Sequence, residues 1–88
     1  MESYRVPIKA SAAKELEALP IKKIRQRVAA RIRALAGDPR PAGCEKLAGY
    51  LNRYRIRQGV YRVIYSVSDE ERLVLIVKIG QRRGAHSS

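Results

Sequence analysis

The sequence predicts an α+β domain in which one strand, two helices and three further strands follow each other, the helices packing on one face of a mostly antiparallel sheet. Three observations predict it. Apolar residues recur every second position at the start, shift to helical spacing over residues 12–35, and return to β-rich runs after residue 53. The connections between the last three runs are too short for anything but antiparallel neighbours. Finally, 88 residues provide for one hydrophobic core and no second one, so residues 1–88 are read as a single domain with residues 81–88 as a flexible tail.

Each element has its own signals. Tyr4, Val6 and Ile8 alternate with Ser3, Arg5 and Pro7, which reads as a strand with Pro7 at a sheet edge or strand end. Ser11 offers a helix cap ahead of Ala12, Leu16 and Leu19, which share a helical face, and Pro20 ends this short helix. The next helix carries Ile21, Ile24, Val28, Ile32 and Leu35 as its apolar stripe. Lys22, Lys23, Arg25, Arg27, Arg31 and Arg33 crowd its remainder, either as an RNA-binding surface or, the reading the pattern favours, as an ordinary solvated face. Gly37 ends the helix, and the proline-rich stretch that follows is a loop to about Lys46. Tyr54 and Ile56 alternate with Arg53, Arg55 and Arg57 before a turn at Gln58-Gly59. Residues 60–67 form the next strand, and Ser68, Asp69, Glu70 and Glu71 turn the chain into residues 73–79. That last run is almost wholly apolar and reads as a central strand buried on both faces.

Composition narrows the function. Nineteen Lys and Arg against eight Asp and Glu give a net charge of +11, which strains the compact state by self-repulsion until a polyanion neutralises it. Phosphate chains fit best, an acidic protein fits as well, and a membrane surface fits less. The longest apolar run, residues 73–77, is far too short to span a bilayer, and the amino terminus lacks the features of a signal peptide, so a cytoplasmic protein with no membrane partner is expected. A lone Cys44 excludes an internal disulfide, and with His86 as its sole companion there is no zinc set, so no metal or other cofactor is expected. Cys44 has no base near it in sequence and is read as inert. Tyr61 and Tyr65 are assigned to the core; Tyr50 and Tyr54 are free to stack on bases. Asp69, Glu70 and Glu71 are read as turn residues.

Arg55 and Arg57 lie two apart on one strand and share a face, while Arg62 lies on the neighbouring strand across a short turn; Arg82 follows the last strand. Composition leaves open whether these arginines converge or are scattered over the surface. The segment Tyr54-Arg55-Ile56-Arg57-Gln58-Gly59-Val60-Tyr61-Arg62-Val63-Ile64-Tyr65 closely resembles the Y-R-I-R-x-G-x-Y-R-V-x-Y segment of the RelE/ParE toxin superfamily. Ala12-Ala13-Lys14-Glu15-Leu16 with Leu19-Pro20, then Asp38-Pro39-Arg40-Pro41, Lys46-Leu47 with Gly49, and Ile79-Gly80-Gln81-Arg82-Arg83 resemble the same family's landmarks in the same order, over nearly the whole chain.

The resemblance implies a RelE-like fold and a RelE-type toxin of a type II toxin–antitoxin system. Such a toxin is a metal-independent endoribonuclease, an mRNA interferase that cuts messenger RNA in the ribosomal A site by attack of a 2′-hydroxyl on the adjacent phosphate, and so inhibits translation. It implies an acidic cognate antitoxin, the ribosome and its mRNA as partners, and operator DNA only through the antitoxin complex. Carried over by position, Arg62 and Arg82 match the two arginines beside the scissile phosphate. Arg55 and Arg57 match a basic pair that is lysine in some members; as arginines they are assigned to phosphate binding and transition-state charge, because a guanidinium rarely releases a proton near neutrality. Lys46, Tyr54, Arg83, Lys22, Lys23 and Arg25 are the candidates for RNA and ribosome contact. Where many members read G-H-R-R-x-x-Y, this chain reads Gly80-Gln81-Arg82-Arg83-Gly84-Ala85-His86. The family histidine is replaced by Gln81 and the terminal tyrosine by His86, which is either the proton-transfer group or a plain tail residue. The same resemblance admits a ParE-like toxin that inhibits DNA gyrase by binding, and an inactive member that binds only RNA or antitoxin.

Overall fold

The structure is a computed structural model that describes residues 3–81. Helix α1 spans Ala10–Glu17 and α2 spans Lys22–Ala34; strands follow at Glu45–Lys46 (β1), Arg53–Gln58 (β2), Tyr61–Ser68 (β3) and Leu73–Gln81 (β4). The strands form one antiparallel sheet in the order β1-β2-β3-β4, with both helices on one face, as the α+β class requires. Val28 and Ile32 of α2, Leu35 just after it and Ala12 of α1 close the core against Ile56, Val63, Tyr65, Val74 and Ile76, all buried. Tyr61 and Tyr65 are core residues, as assigned. β2 and β3 join through Gly59 and Val60; Gly59 takes a φ of +61°, the conformation that a tight hairpin demands at its first central residue.

The first expected strand is not a continuous one. Arg5 and Ile8 make isolated parallel bridges to Leu73 and Ile76 of β4. The amides of Arg5 and Lys9 donate to the carbonyls of Arg72 and Ile76, and those of Val74 and Ile76 donate to the carbonyls of Arg5 and Pro7. Pro7 accepts but has no N–H to return, and that missing bond breaks the ladder into two bridges. Ser11 is not the cap of α1: the helix begins at Ala10, after Lys9, with no side-chain cap, because the Lys9 carbonyl already accepts the Ala13 amide. Ile21 does not join the apolar stripe of α2 either; it precedes the helix in an extended conformation and is exposed.

Two corrections concern the sheet. Glu45–Lys46, read as loop, is a strand paired with Arg55 and Tyr54, and is too short to show periodicity. β4, read as central and buried on both faces, is the last strand in the order, and Val74, Ile76 and Ile79 point to the helices. A bulge explains its continuous apolar texture: Ile64 pairs with Lys78 and Tyr65 with Ile76, which leaves Val77 without a cross-strand partner and resets the alternation. The outer edge of β4 is covered in part by the amino-terminal segment, and farther along by Glu15 of α1, whose carboxylate accepts the Ile79 amide at 2.8 Å and the Lys78 ammonium at 3.3 Å.

Candidate functional site

Because α1 and α2 cover one face of the sheet, every second residue of the strands is left on the other. Register arranges these in rows. Glu45 of β1 lies opposite Arg55, which faces Ile64, which faces Lys78. One row nearer the β2–β3 hairpin, Arg57 faces Arg62, which faces Gly80; on the other side, Arg53 faces Ser66, which faces Leu75. The structure therefore brings Arg55, Arg57 and Arg62 together. Like charges directly opposite each other across a strand pair destabilise a sheet, so the Arg57–Arg62 pair is a placement that folding alone does not favour. Gly80 extends the row without a side chain: among the described residues nothing lies within 4 Å of where its Cβ would be, so no described group fills the position across from Arg62.

The arginines differ in their surroundings. Arg55 is paired to the Glu45 carboxylate, which also lies 3.7 Å from Arg57. Arg55 beside it holds the Glu45 carboxyl below the usual carboxylate range. Among the described residues Arg62 has no carboxylate partner. Arg31 of α2 reaches the hairpin end of β2, donating to the Arg57 carbonyl at 2.9 Å and to Gln58 Oε1 at 3.1 Å, and so fixes the backbone from which Arg57 projects. Three permanent cations on one sheet face suit the charge that develops on an attacked phosphate.

Other expected site residues lie elsewhere. Tyr54 pairs with Tyr65 on the helix side, its ring stacked on that of Tyr65 at 6.0 Å and its hydroxyl accepting from Arg40 Nε at 3.0 Å, so it is not available to a base on the arginine face. Lys46, opposite Tyr54, also belongs to the helix side, though exposed. Arg25 donates to the Leu19 carbonyl at 2.6 Å and ties α2 to the connection that leads into it. Lys22 and Lys23 are exposed in the first turn of α2, in the helical layer and away from the arginine face. Tyr50 is half exposed, with the Arg53 guanidinium 4.5 Å above its ring centroid. Arg82, Arg83 and His86 lie outside the described residues.

Sequence reasoning missed Glu45, which no periodic pattern marks, and the anchoring role of Asp69. Asp69 does sit in the β3–β4 turn, but it also accepts both terminal nitrogens of Arg40, at 3.0 and 3.2 Å, and the Tyr4 hydroxyl at 2.6 Å. Arg40 and then Tyr4 hold its carboxyl below the ordinary value, while the Tyr4 phenol is raised by the same contact. The Tyr65 hydroxyl donates to the Pro39 carbonyl at 2.8 Å, and burial pushes this phenol well above its ordinary value. Together these bonds pin the loop that delivers Glu45 to the arginine face. Among the described residues no group of three His, Cys, Asp or Glu side chains is placed to hold a metal ion, and no helix is long and apolar enough to cross a membrane.

Comparison with known proteins identifies this architecture. Residues 6–85 match the family described as the ParE toxin of type II toxin–antitoxin systems. No curated protein matches the sequence. Among solved structures, a chain of the archaeal RelE–RelB complex from Pyrococcus horikoshii superposes with a TM-score of 0.79 at 36% identity, over 90% of this chain and 94% of that one. The isolated RelE toxin of E. coli gives 0.77 at 26% identity, over 89% and 83% of the two chains. The toxin–antitoxin complex RelBE2 of Mycobacterium tuberculosis gives 0.78 at 26%, over 91% and 99%. With the family match spanning nearly the whole chain and the α+β architecture shared throughout, this chain belongs to the RelE/ParE superfamily of toxins of type II toxin–antitoxin systems.

Proposed function

We propose that this toxin is a ribosome-dependent, metal-independent endoribonuclease that cuts messenger RNA in the ribosomal A site and so stops translation in the cytoplasm. The observation that carries the reading is the register pair Arg57–Arg62, with Arg55 beside it and Gly80, which has no side chain, across from Arg62, on the sheet face opposite α1 and α2. In the reaction, the 2′-oxygen bonds to the adjacent phosphorus as the bond from phosphorus to the 5′-oxygen breaks. The 2′-hydroxyl loses its proton and the leaving oxygen gains one. Arg57 and Arg62 hold the non-bridging oxygens and offset the added negative charge, a task that suits groups charged at every working pH. Arg82 joins them, Arg83 adds a phosphate contact, and His86 is assigned the proton transfer that the guanidiniums perform poorly. Lys22 and Lys23 contribute long-range attraction to ribosomal RNA.

The RelE–RelB complex of P. horikoshii and the toxin–antitoxin complex of M. tuberculosis support an antitoxin partner, which for a chain of +11 is acidic; operator DNA is reached only through that complex. A second reading has its own support, because the matching family model is that of the ParE toxin: binding and inhibition of DNA gyrase without chemistry. The two separate in one experiment. Purified protein added to a cell-free translation system produces new mRNA ends on translated message alone if the first reading holds. Unbroken message together with arrested gyrase supercoiling would establish the second.

A further inference from the structure

The arginine face carries its own anion. β1 is two residues long, and its register sets Glu45 directly across from Arg55 on the open side of the sheet. The carboxylate is paired to Arg55 and lies 3.7 Å from Arg57, so it occupies the position that two phosphate oxygens would take between the same two guanidiniums. The partners are unequally anchored. The Arg55 side chain is 20% exposed and the Glu45 side chain 52%, so the carboxylate is the member free to swing away. The pairing is also incomplete: Arg55 Nε is buried and has no hydrogen-bond partner among the described residues. Glu45 is exposed and is not one of the buried core residues.

We propose that Glu45 is a selectivity residue: its carboxylate stands in for an RNA phosphate on Arg55 and Arg57, so that single-stranded RNA free in solution binds weakly. This inference rests on the reading of the face as an RNA site. Free RNA must pay the ordering of its own backbone as well as the displacement of Glu45. RNA already held in an extended pose by another particle faces only the displacement, and so is preferred.

Binding of a labelled oligouridylate, followed by fluorescence anisotropy over a series of salt concentrations without ribosomes, tests the proposal. Glu45→Gln removes the charge and keeps the shape; Glu70→Gln, in the β3–β4 turn, makes the same change in net charge elsewhere. The Glu45 variant is expected to bind roughly 2- to 5-fold tighter than the Glu70 variant. Its salt dependence should steepen by about 0.7 for each phosphate contact recovered. Adding Arg55→Gln and Arg57→Gln to Glu45→Gln should abolish the gain. Equal affinities of the two single variants, weaker binding by the Glu45 variant, no binding by either, or a gain that survives loss of both arginines overturns the proposal. Message left uncut on ribosomes by the unaltered protein counts instead against the ribonuclease reading, and the anisotropy comparison is read independently of it.

Discussion

Arg57 and Arg62 face each other across β2 and β3, and the sheet bears the repulsion between them. Under the proposed ribonuclease function such a pair trades stability for phosphate binding, and Arg62→Ala should show both sides at once. Cleavage of ribosome-bound message is expected to fall by about 10²- to 10³-fold, as when one charge-stabilising donor is removed from a reaction centre, with ribosome affinity nearly unchanged. In the same variant the melting temperature should hold or rise. Single-turnover cleavage, pelleting with ribosomes and a thermal melt check the three readings. A residue at the far end of the fold gives a different prediction. The Asp69 carboxyl, held below its ordinary value by Arg40 and Tyr4, contributes stability above its unfolded pKa of about 3.9 and loses it as pH falls through the lower folded value. Asp69→Asn should therefore melt below the unaltered protein at pH 7, and the gap should close under about pH 4. At this scale the arginine face was legible, because residues two apart in a strand must share a side. Glu45 and the Arg40–Asp69 pair were not, since both partners meet only through tertiary register, Arg40 and Asp69 across 29 positions of sequence.

The elements show where pattern reading succeeds and where it stops. α2 and the β2–β3 hairpin were legible because each keeps one period along its length, and the hairpin turns on Gly59, whose positive φ its turn requires. The place of β4 was not. Its apolar run suggests burial on both faces, but a bulge at Val77 and cover from the amino-terminal segment produce the same texture in a strand at the end of the sheet order. Pro7 made the converse trap, since the alternation of a strand is present while the donor needed for a continuous ladder is missing. Glu15 completes the edge by capping the Ile79 amide, one residue before Gly80. Glu15→Ala should destabilise the fold by about 1–2 kcal/mol, the scale of a hydrogen bond to a charged group. Amide exchange at Ile79 should accelerate while that of Val63, inside the β2–β3–β4 ladder, holds; denaturant melts and hydrogen exchange read the two effects.

At the scale of the whole molecule, a net charge of +11 on 88 residues sets the chain against itself. Raising sodium chloride from low to physiological strength should raise the melting temperature by screening that repulsion, and a polyanion such as polyphosphate should do so at far lower concentration. A fall in either titration would mean that charge is balanced within the fold. Two groups of cations lie in different layers: the arginine face on the open sheet, and Lys22, Lys23, Arg27 and Arg33 exposed on α2 behind it. Fold and charge were both legible from composition and periodicity; the division was not, because it follows from which sheet face the helices cover. Family membership leaves two activities to separate, and the arginine face favours the chemical one. The most direct measurement maps mRNA ends on programmed ribosomes with the unaltered toxin and with Arg62→Ala. A ribosome-dependent ribonuclease leaves metal-independent cuts at the A-site codon that bear a 2′,3′-cyclic phosphate and nearly vanish in the variant. Intact message with the unaltered toxin, or undiminished cleavage by Arg62→Ala, would contradict that reading.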